Sequence, residues 1–304
     1  MGLRFALVSA HPRRDWQSAR LAAACARLGE TEVFRPTDVG LSVGKKLAVT
    51  VRGRDARDFD VWILARALGR RGDPDFQCGA YRALEGLGLP VLNPVDALLR
   101  AEDKIETSFV LARAGVPTPP MRAVQRLSEA RTALRELGRV VAKPPYGSLG
   151  IGIARLDSGD HQARDKLEDL LTRHGVVYLQ AWAGREPAQD LRVFVVGGQV
   201  AAAMSRHAPD GEFRTNIFLG GDARAVEPRA QVVRIAVSAA RALGLVYAGV
   251  DVIDGADGPT VIEVNGTPSW RALLDATGCD MADTIAAHAA RLARLARPAK
   301  EAGA

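Results

Sequence analysis

Asp251, Glu263 and Asn265 are the residues whose types and spacing point most directly to chemistry. They lie in residues 248–268, AGVDVIDGADGPTVIEVNGTP, where apolar runs 249–253 and 260–264 flank the turn-rich GADGP. That pattern predicts a β-hairpin. On a strand Glu263 and Asn265 share a face, about 7 Å apart. Asp251 falls on the partner strand near the level of Glu263, and a slip of one residue in register would turn it to the other face. Two carboxylates and an amide oxygen on one face make an all-oxygen site for a hard cation such as Mg²⁺. The apolar neighbours of each acid favour that reading over a plain polar hairpin face, because buried carboxylates need a partner.

Two further clusters could handle anions. In KPPYGSLGIG, Lys143 ends an apolar run, and Gly147, Gly150 and Gly152 allow the backbone to approach a ligand and turn its N–H groups inward. Such a loop can wrap a polyphosphate, with Lys143 as the cation. It is not a GxxxxGK[ST] loop, and a strand, not a helix, is expected to follow. Arg192, Arg206, Arg214 and Asn216, within LRVFVV…SRHAPDGEFRTN, can clamp a phosphate and a carboxylate by bidentate bonds. Each arginine taken singly also suits a solvated surface. No kinase catalytic loop, GxSxG or HExxH occurs, and His11, His161, His174, His207 and His288 are scattered.

The elements that must position these groups alternate in type. Residues 3–10 read as a strand, 15–28 as a helix stopped by Gly29, 32–35 and 59–66 as strands, 76–87 as a helix and 89–92 as a strand, together a small α/β layer. No GxGxxG follows the first strand, which argues against dinucleotide binding. Past a boundary at Asn93-Pro94, one helix is expected over 95–114, then the rigid VPTPP connector. Next come strands 121–126, 139–143, 151–156 and 176–182, with helices 128–137 and 160–174 among them. The last third holds a hairpin turning at Gly197-Gly198, a polar loop APDGEFRTNIFLGGDAR and helix 228–243. The opening hairpin, a loop to Thr277, helix 281–296 and a frayed tail RPAKEAGA follow.

Composition narrows the class. Of 304 residues 47% are hydrophobic, as in globular proteins. No apolar run nears the roughly 20 residues of a membrane span. The opening MGLRFALVSAHP is too short for a secretory core, so a cytoplasmic location is expected. Cys25, Cys78 and Cys279 form no CxxC, against a disulfide framework or zinc knuckle. The net charge of +6 is mostly arginine, with no run of five basic residues. That disfavours nucleic acid and favours acidic small molecules.

Order and spacing add what single motifs lack. Asp103-Lys104, KPPYGSLGIG, YLQAW, DLRVFVVGGQV, GEFRTN, AGVDVI and IEVNGTP follow one another as in ATP-grasp ligases. Within that superfamily the chain resembles the RimK-type glutamate ligases over nearly its whole length, most strongly over 93–280. The resemblance implies an α/β (α+β) ATP-grasp fold: an N-terminal pre-ATP-grasp domain (1–94), a central lid subdomain (95–182), a C-terminal subdomain (183–298) and a tail (299–304). It places ATP between the last two subdomains. Lys104 and Lys143 would meet phosphates under the loop of Gly147, Ser148, Gly150 and Gly152. Gln180, Ala181 and Trp182 would meet adenine largely by backbone. Asp190 would stand near the ribose, with Arg214, Thr215 and Asn216 near the phosphates. Asp251, Glu263 and Asn265 match the family's Mg²⁺ ligands, where Mn²⁺ can substitute, and Arg206 would stabilise an acyl phosphate.

Two departures bear on specificity. The hinge usually reads QEY, and here the acid is Ala181; after EVN the usual SPGLEGIE is replaced by TPSWRALL. Ser269, Trp270 and Arg271, with Arg192, are therefore the expected acceptor contacts. The NGTPSWRAL stretch is more similar to relatives that glutamylate pterin and furan cofactors. The expectation is an ATP- and Mg²⁺-dependent carboxylate–amine ligase, a homo-oligomer joining L-glutamate to an acceptor carboxylate. Glutamylation of a protein tail, a peptide ligase using another amino acid and a non-catalytic ATP-binding module stand as alternatives.

Overall fold

The computed structural model describes residues 2–68, 71–147, 151–184, 187–215, 220–255 and 258–302, with side chains to residue 296. The first layer holds β1 (Leu3–Ser9), α1 (Trp16–Ala26) and β2 (Gly29–Phe34). After a small antiparallel sheet of β3 (Val39–Val43), β4 (Leu47–Val51) and β5 (Arg54–Asp55), it is completed by β6 (Val61–Arg66), α2 (Pro74–Gly86) and β7 (Val91–Leu92). Its sheet runs β2-β1-β6-β7, all parallel. Phe5, Ala6, Leu7 and Val8 are fully buried, as a parallel strand covered on both faces requires. The expected helix stop at Gly29 is corrected: the cap is Arg27 and Gly29 opens β2. Its missing side chain serves packing, since a Cβ there would overlap the Leu3 carbonyl oxygen. Strands β3 to β5 had gone unread because they are short and mix glycine with charge.

The helix expected over 95–114 is two: α3 (Val95–Glu102) and α4 (Lys104–Arg113). Asp103 breaks them. Its backbone is extended, and its Oδ1 accepts the N–H groups of Ile105 (2.8 Å) and Glu106 (3.2 Å), so it caps α4. Then come β8 (Met121–Val124), α5 (Leu127–Leu137), β9 (Arg139–Lys143), β10 (Ala154–Asp157), α6 (Ala163–His174) and β11 (Val177–Ala181). They form an antiparallel sheet β10-β9-β11-β8 whose core, including Leu134, Leu156, Leu167 and Leu179, is its own.

The last unit comprises β12 (Gln189–Val196), β13 (Gln199–His207), β14 (Asp222–Ala225), α7 (Ala230–Leu243), β15 (Tyr247–Gly255), β16 (Gly258–Asn265), α8 (Arg271–Thr277) and α9 (Met281–Ala302). Its sheet is β14-β13-β12-β15-β16, antiparallel throughout. Three expectations change: β14 lies in the supposed polar loop, α8 replaces the end of the loop to Thr277, and α9 stays helical to Ala302. Helix α9 packs on the first sheet, so Phe5, Leu7 and Ile63 share a core with Ile285, Ala286 and Ala289. No helix among the described residues is long and apolar enough to cross a membrane.

Two glycines test these packing claims with opposite signs. Gly29→Ala should lower stability by about 1–3 kcal/mol through overpacking. Gly79→Ala, within α2 and with nothing within 4 Å of the added carbon, should raise it by about 0.5–1 kcal/mol. Thermal unfolding reads both, and equal shifts would refute the account.

Candidate active site

Strand register builds the site. Asp190 pairs with Arg206 across β12–β13, Arg192 with Asp251 across β12–β15, and Asp251 with Glu263 across β15–β16. Alternation puts Asp190 and Arg192 on one face, so acids and arginines line up across four strands. The register left open in the sequence thus sets Asp251 opposite Glu263. A bulge beside them leaves Ile262 without a partner residue, and its carbonyl lies 3.5 Å from Lys143 Nζ.

The charges close into a buried ladder. Thr215 Oγ1 donates to Asp190 Oδ2 (2.7 Å). Arg206 grips Asp190 through Nε (2.8 Å) and Nη2 (2.6 Å) and reaches Asp251 at 3.0 Å. Arg192 holds Asp251 with two bonds, Nε to Oδ1 and Nη2 to Oδ2. Burial alone would push the Asp251 carboxyl up, but Arg192 and Arg206 overcome it and hold its pKa below the usual carboxylate value. Burial likewise disfavours the Arg206 charge, yet Asp251 and Asp190 more than offset it and raise its pKa.

Beside the ladder opens a cleft between β9–β11 and β15–β16. Val141, Ile153, Ile253 and Ile262 form its apolar walls; Lys143, Gln180, Asp190, Arg206, Thr215, Asp251 and Glu263 line its polar side. Lys143 Nζ donates to Gln180 Oε1 at 2.8 Å, and burial pulls the lysine pKa down despite Glu263 nearby. Trp182 and Phe213 meet edge to face at 6.0 Å, with the Arg155 guanidinium 5.5 and 5.6 Å from their rings. Glu212 binds Arg214 (Nη2 to Oε2, 2.7 Å), and that bond draws its carboxyl down to about 2. Phe213, Arg155 and Glu212 were not read from the sequence. Only the adjacency of Glu212 and Phe213 to Arg214 could have signalled two of them.

The other expected residues are placed as follows. Ala181 and Trp182 line the cleft, but their N–H groups are taken by the Pro120 (2.8 Å) and Arg139 (2.9 Å) carbonyls. Beyond them the lining continues with Ala183 and Gly184. Lys104 lines a smaller adjoining cavity with Glu263 and Tyr178, and its Nζ donates to Gly147 O at 2.6 Å. Its N–H donates to Pro145 O (3.1 Å) and Tyr146 Oη to Asp103 Oδ2 (3.2 Å), docking the start of the glycine loop on α4. Gly147 and Gly152 have positive φ, 125° and 74°. Asn265 lies opposite Gly249, outside the cleft lining. Ser148, Gly150 and Asn216 lie outside the described residues.

Two acceptor contacts are corrected. Trp270 is 3% exposed, packed between Trp16 (6.0 Å) and Phe194 (6.2 Å), with Nε1 donating to Asp280, so it is a core pillar. Arg192 is committed to Asp251 instead of facing an acceptor. Ser269 is exposed, and Arg271 lies over the Trp16 ring at 4.9 Å.

The donor set fits a hard cation. The Glu263 carboxylate makes no hydrogen bond or ion pair with another described residue, although the residue is half-buried. Asp251 has three of its roughly four lone-pair positions filled by arginine N–H groups, which leaves one for a metal.

Comparison with known proteins agrees with this geometry. A family model described as RimK-like ATP-grasp domain matches residues 101–289. The chain is 35% identical over 237 residues to the tetrahydromethanopterin:alpha-L-glutamate ligase of Methanosarcina acetivorans, covering 69% of this chain and 73% of that one. It is 38% identical over 241 residues to a probable alpha-L-glutamate ligase of Xanthomonas campestris pv. campestris, covering 78% and 81%. The solved structure of the ATP-grasp ligase PsnB complexed with minimal precursor superposes with TM-score 0.77 over 96% of this chain and 100% of that one, at 21% identity.

Lys143 gives a pH test. Its folded pKa lies below the unfolded value of about 10.4, so between the two the unfolded chain binds the extra proton. The stability of the wild type relative to Lys143→Met should therefore rise with pH toward 10. Denaturation at a series of pH values reads this, and a flat or falling difference contradicts it.

Proposed function

This chain belongs to the RimK-like ATP-grasp family, and from that premise we propose that it joins the amine of L-glutamate to an acceptor carboxylate at the expense of ATP. The observation that carries the reading is the ladder Asp190–Arg206–Asp251, with Glu263 opposite Asp251, at the polar side of a cleft with apolar walls. Such a cleft suits a purine between Val141, Ile153 and Ile262, with its phosphates toward Lys143. The acceptor carboxylate attacks the terminal phosphorus, ADP leaves, and the amine then displaces phosphate from the acyl carbon. Arg206, fixed by two aspartates, offers a permanent positive charge where that acyl phosphate forms. Lys143 and Lys104 bear on the phosphates. Asp251, Glu263 and Asn265 would hold Mg²⁺, which would neutralise charge developing on the transferred phosphoryl group.

The acceptor is a small-molecule cofactor of pterin or furan type. The tetrahydromethanopterin ligase among the relatives supports that choice over a protein tail. Free cysteines at Cys25, Cys78 and Cys279 suit a cytoplasmic enzyme. The rival of another class, a binding module without chemistry, is disfavoured by the intact ladder and by Glu263.

Acceptor-dependent ADP release from purified protein tests the reading, with amino acids screened as amine donors. Glutamate should be preferred, and ATP binding without any acceptor-dependent ADP would leave the binding module. Glu263→Gln should cut kcat by at least about 10²–10³-fold with Tm little changed. Near-normal turnover in that variant would remove Glu263 from the site.

A further inference from the structure

The strand order of the first sheet implies a crevice that the proposed reaction has not used. In the order β2-β1-β6-β7, β1 leads through α1 to β2 on one side, and β6 leads through α2 to β7 on the other. The carboxyl ends of β1 and β6 therefore open at a switch point, where parallel sheets hold ligands. Strand β1 ends at buried Ser9 and runs into a turn in which Arg14 and Asp15 donate to His11 O (3.0 and 2.9 Å). The exposed residues Arg13 and Arg14 lie on that turn. Strand β6 ends at Arg66, whose carbonyl accepts the Ala10 N–H at 2.7 Å and whose side chain is 45% exposed.

Arg66 is aimed more than it is neutralised. Its Nη2 donates to the neutral amide oxygen of Gln17 at 2.8 Å, and Asp15, 3.7 Å from Nε, already caps α1. Its Nη1 has no partner among the described residues. A half-exposed pairing of that length contributes about 0–1 kcal/mol, so stability does not explain the arginine. Gln17, 8% exposed, is itself fixed by donating to Pro268 O at 2.7 Å.

That contact joins the crevice to the reaction centre. Gly249 is glycine where a Cβ would lie 2.7 Å from the Pro268 ring and 3.2 Å from Arg192 Cδ. Arg192 and Pro268 both lie against Gly249, so the line Asp251–Arg192–Gly249–Pro268–Gln17–Arg66 runs from a proposed metal ligand to the first sheet. The segments on either side of this line are fixed as well: Asn93 donates to the carbonyls of Tyr247 and Gly266 (both 2.8 Å), and Arg271 lies over Trp16. Glu102 at the end of α3 and Asp15 are the acids near this space; Arg13, Arg14 and Arg66 outnumber them.

We propose that this crevice binds a second anionic group of the acceptor, a phosphate or a carboxylate distinct from the one that reacts, with Arg66 as its main ligand and the Arg13–Arg14 turn closing over it. The substrate class is then a polyanionic acceptor. The inference rests on the ligase reading, because the acceptor's reacting carboxylate must stand beside Asp251 while its second charge reaches Arg66.

The test fills the nucleotide cleft with AMP-PNP and Mg²⁺ and then titrates the full chain calorimetrically with tricarballylate or with inorganic phosphate. At least one anion should bind in the millimolar range, and the tighter of the two identifies the carboxylate or phosphate form. Arg66→Gln should weaken that binding at least fivefold, with AMP-PNP affinity changed less than twofold. If Arg66→Gln does not fold, Arg13→Gln/Arg14→Gln, on an exposed turn, should weaken it at least threefold. Anion binding absent from the wild type, or equal in the variants, overturns the proposal. Failure of AMP-PNP itself to bind would instead strike the ligase reading, so the two failures are distinguishable.

Discussion

The interaction on which the rest depends is the buried ladder Thr215–Asp190–Arg206–Asp251–Arg192. Two arginines and two aspartates, each at most 9% exposed, are tolerable only as a neutral set. Removing one member leaves a buried charge unmatched, at about 3–5 kcal/mol for a broken buried pair. The ladder also constrains register: a slip by one residue in β12, β13 or β15 would send its member to the opposite face. One set of contacts therefore ties the alignment of three strands to the orientation of the carboxylate proposed for the metal and the arginine proposed for the intermediate.

Around it, rigid and separable parts are divided by their cores. The sheet β10-β9-β11-β8 with α5 and α6 keeps an apolar core of its own and touches the larger sheet largely across the cleft. The first sheet has no such independence, because α9 fills one of its faces. The smaller unit therefore shares less core with the body than the first sheet does. The contacts of Tyr146 with Asp103 and of Lys104 with Gly147 are its polar tether at that edge.

Much of the centre was legible because β structure converts spacing into direction. Glu263 and Asn265 at i and i+2 needed only the strand to be right, whereas Asp251 faces Glu263 because the bulge at Ile262 shifts the register by one residue, which spacing alone does not carry. Lys143 was legible as a cation at a strand end. What sequence could not carry was partner choice. Arg192 and Trp270 are polar-tipped residues beside the site, yet one is spent on Asp251 and the other on Asp280 and the core. Asp103 looked like a residue inside one helix because the cap that ends α3 and starts α4 depends on its side chain turning back to the backbone. Gly29 resembled a helix stop for the same reason of locality: its real constraint, the Leu3 carbonyl, is distant in sequence.

The departure TPSWRALL then takes a different physical meaning. Trp270 and Arg271 both contact Trp16, so that the loop after β16 is pressed onto α1, with Pro268 against Gly249 and its carbonyl held by Gln17. A change of acceptor can follow from such a substitution without a new contact, because moving Pro268 moves Gln17 and with it the aim of Arg66. On the proposed reading, specificity would be shared between a loop that sets geometry and an arginine on the first sheet that supplies charge.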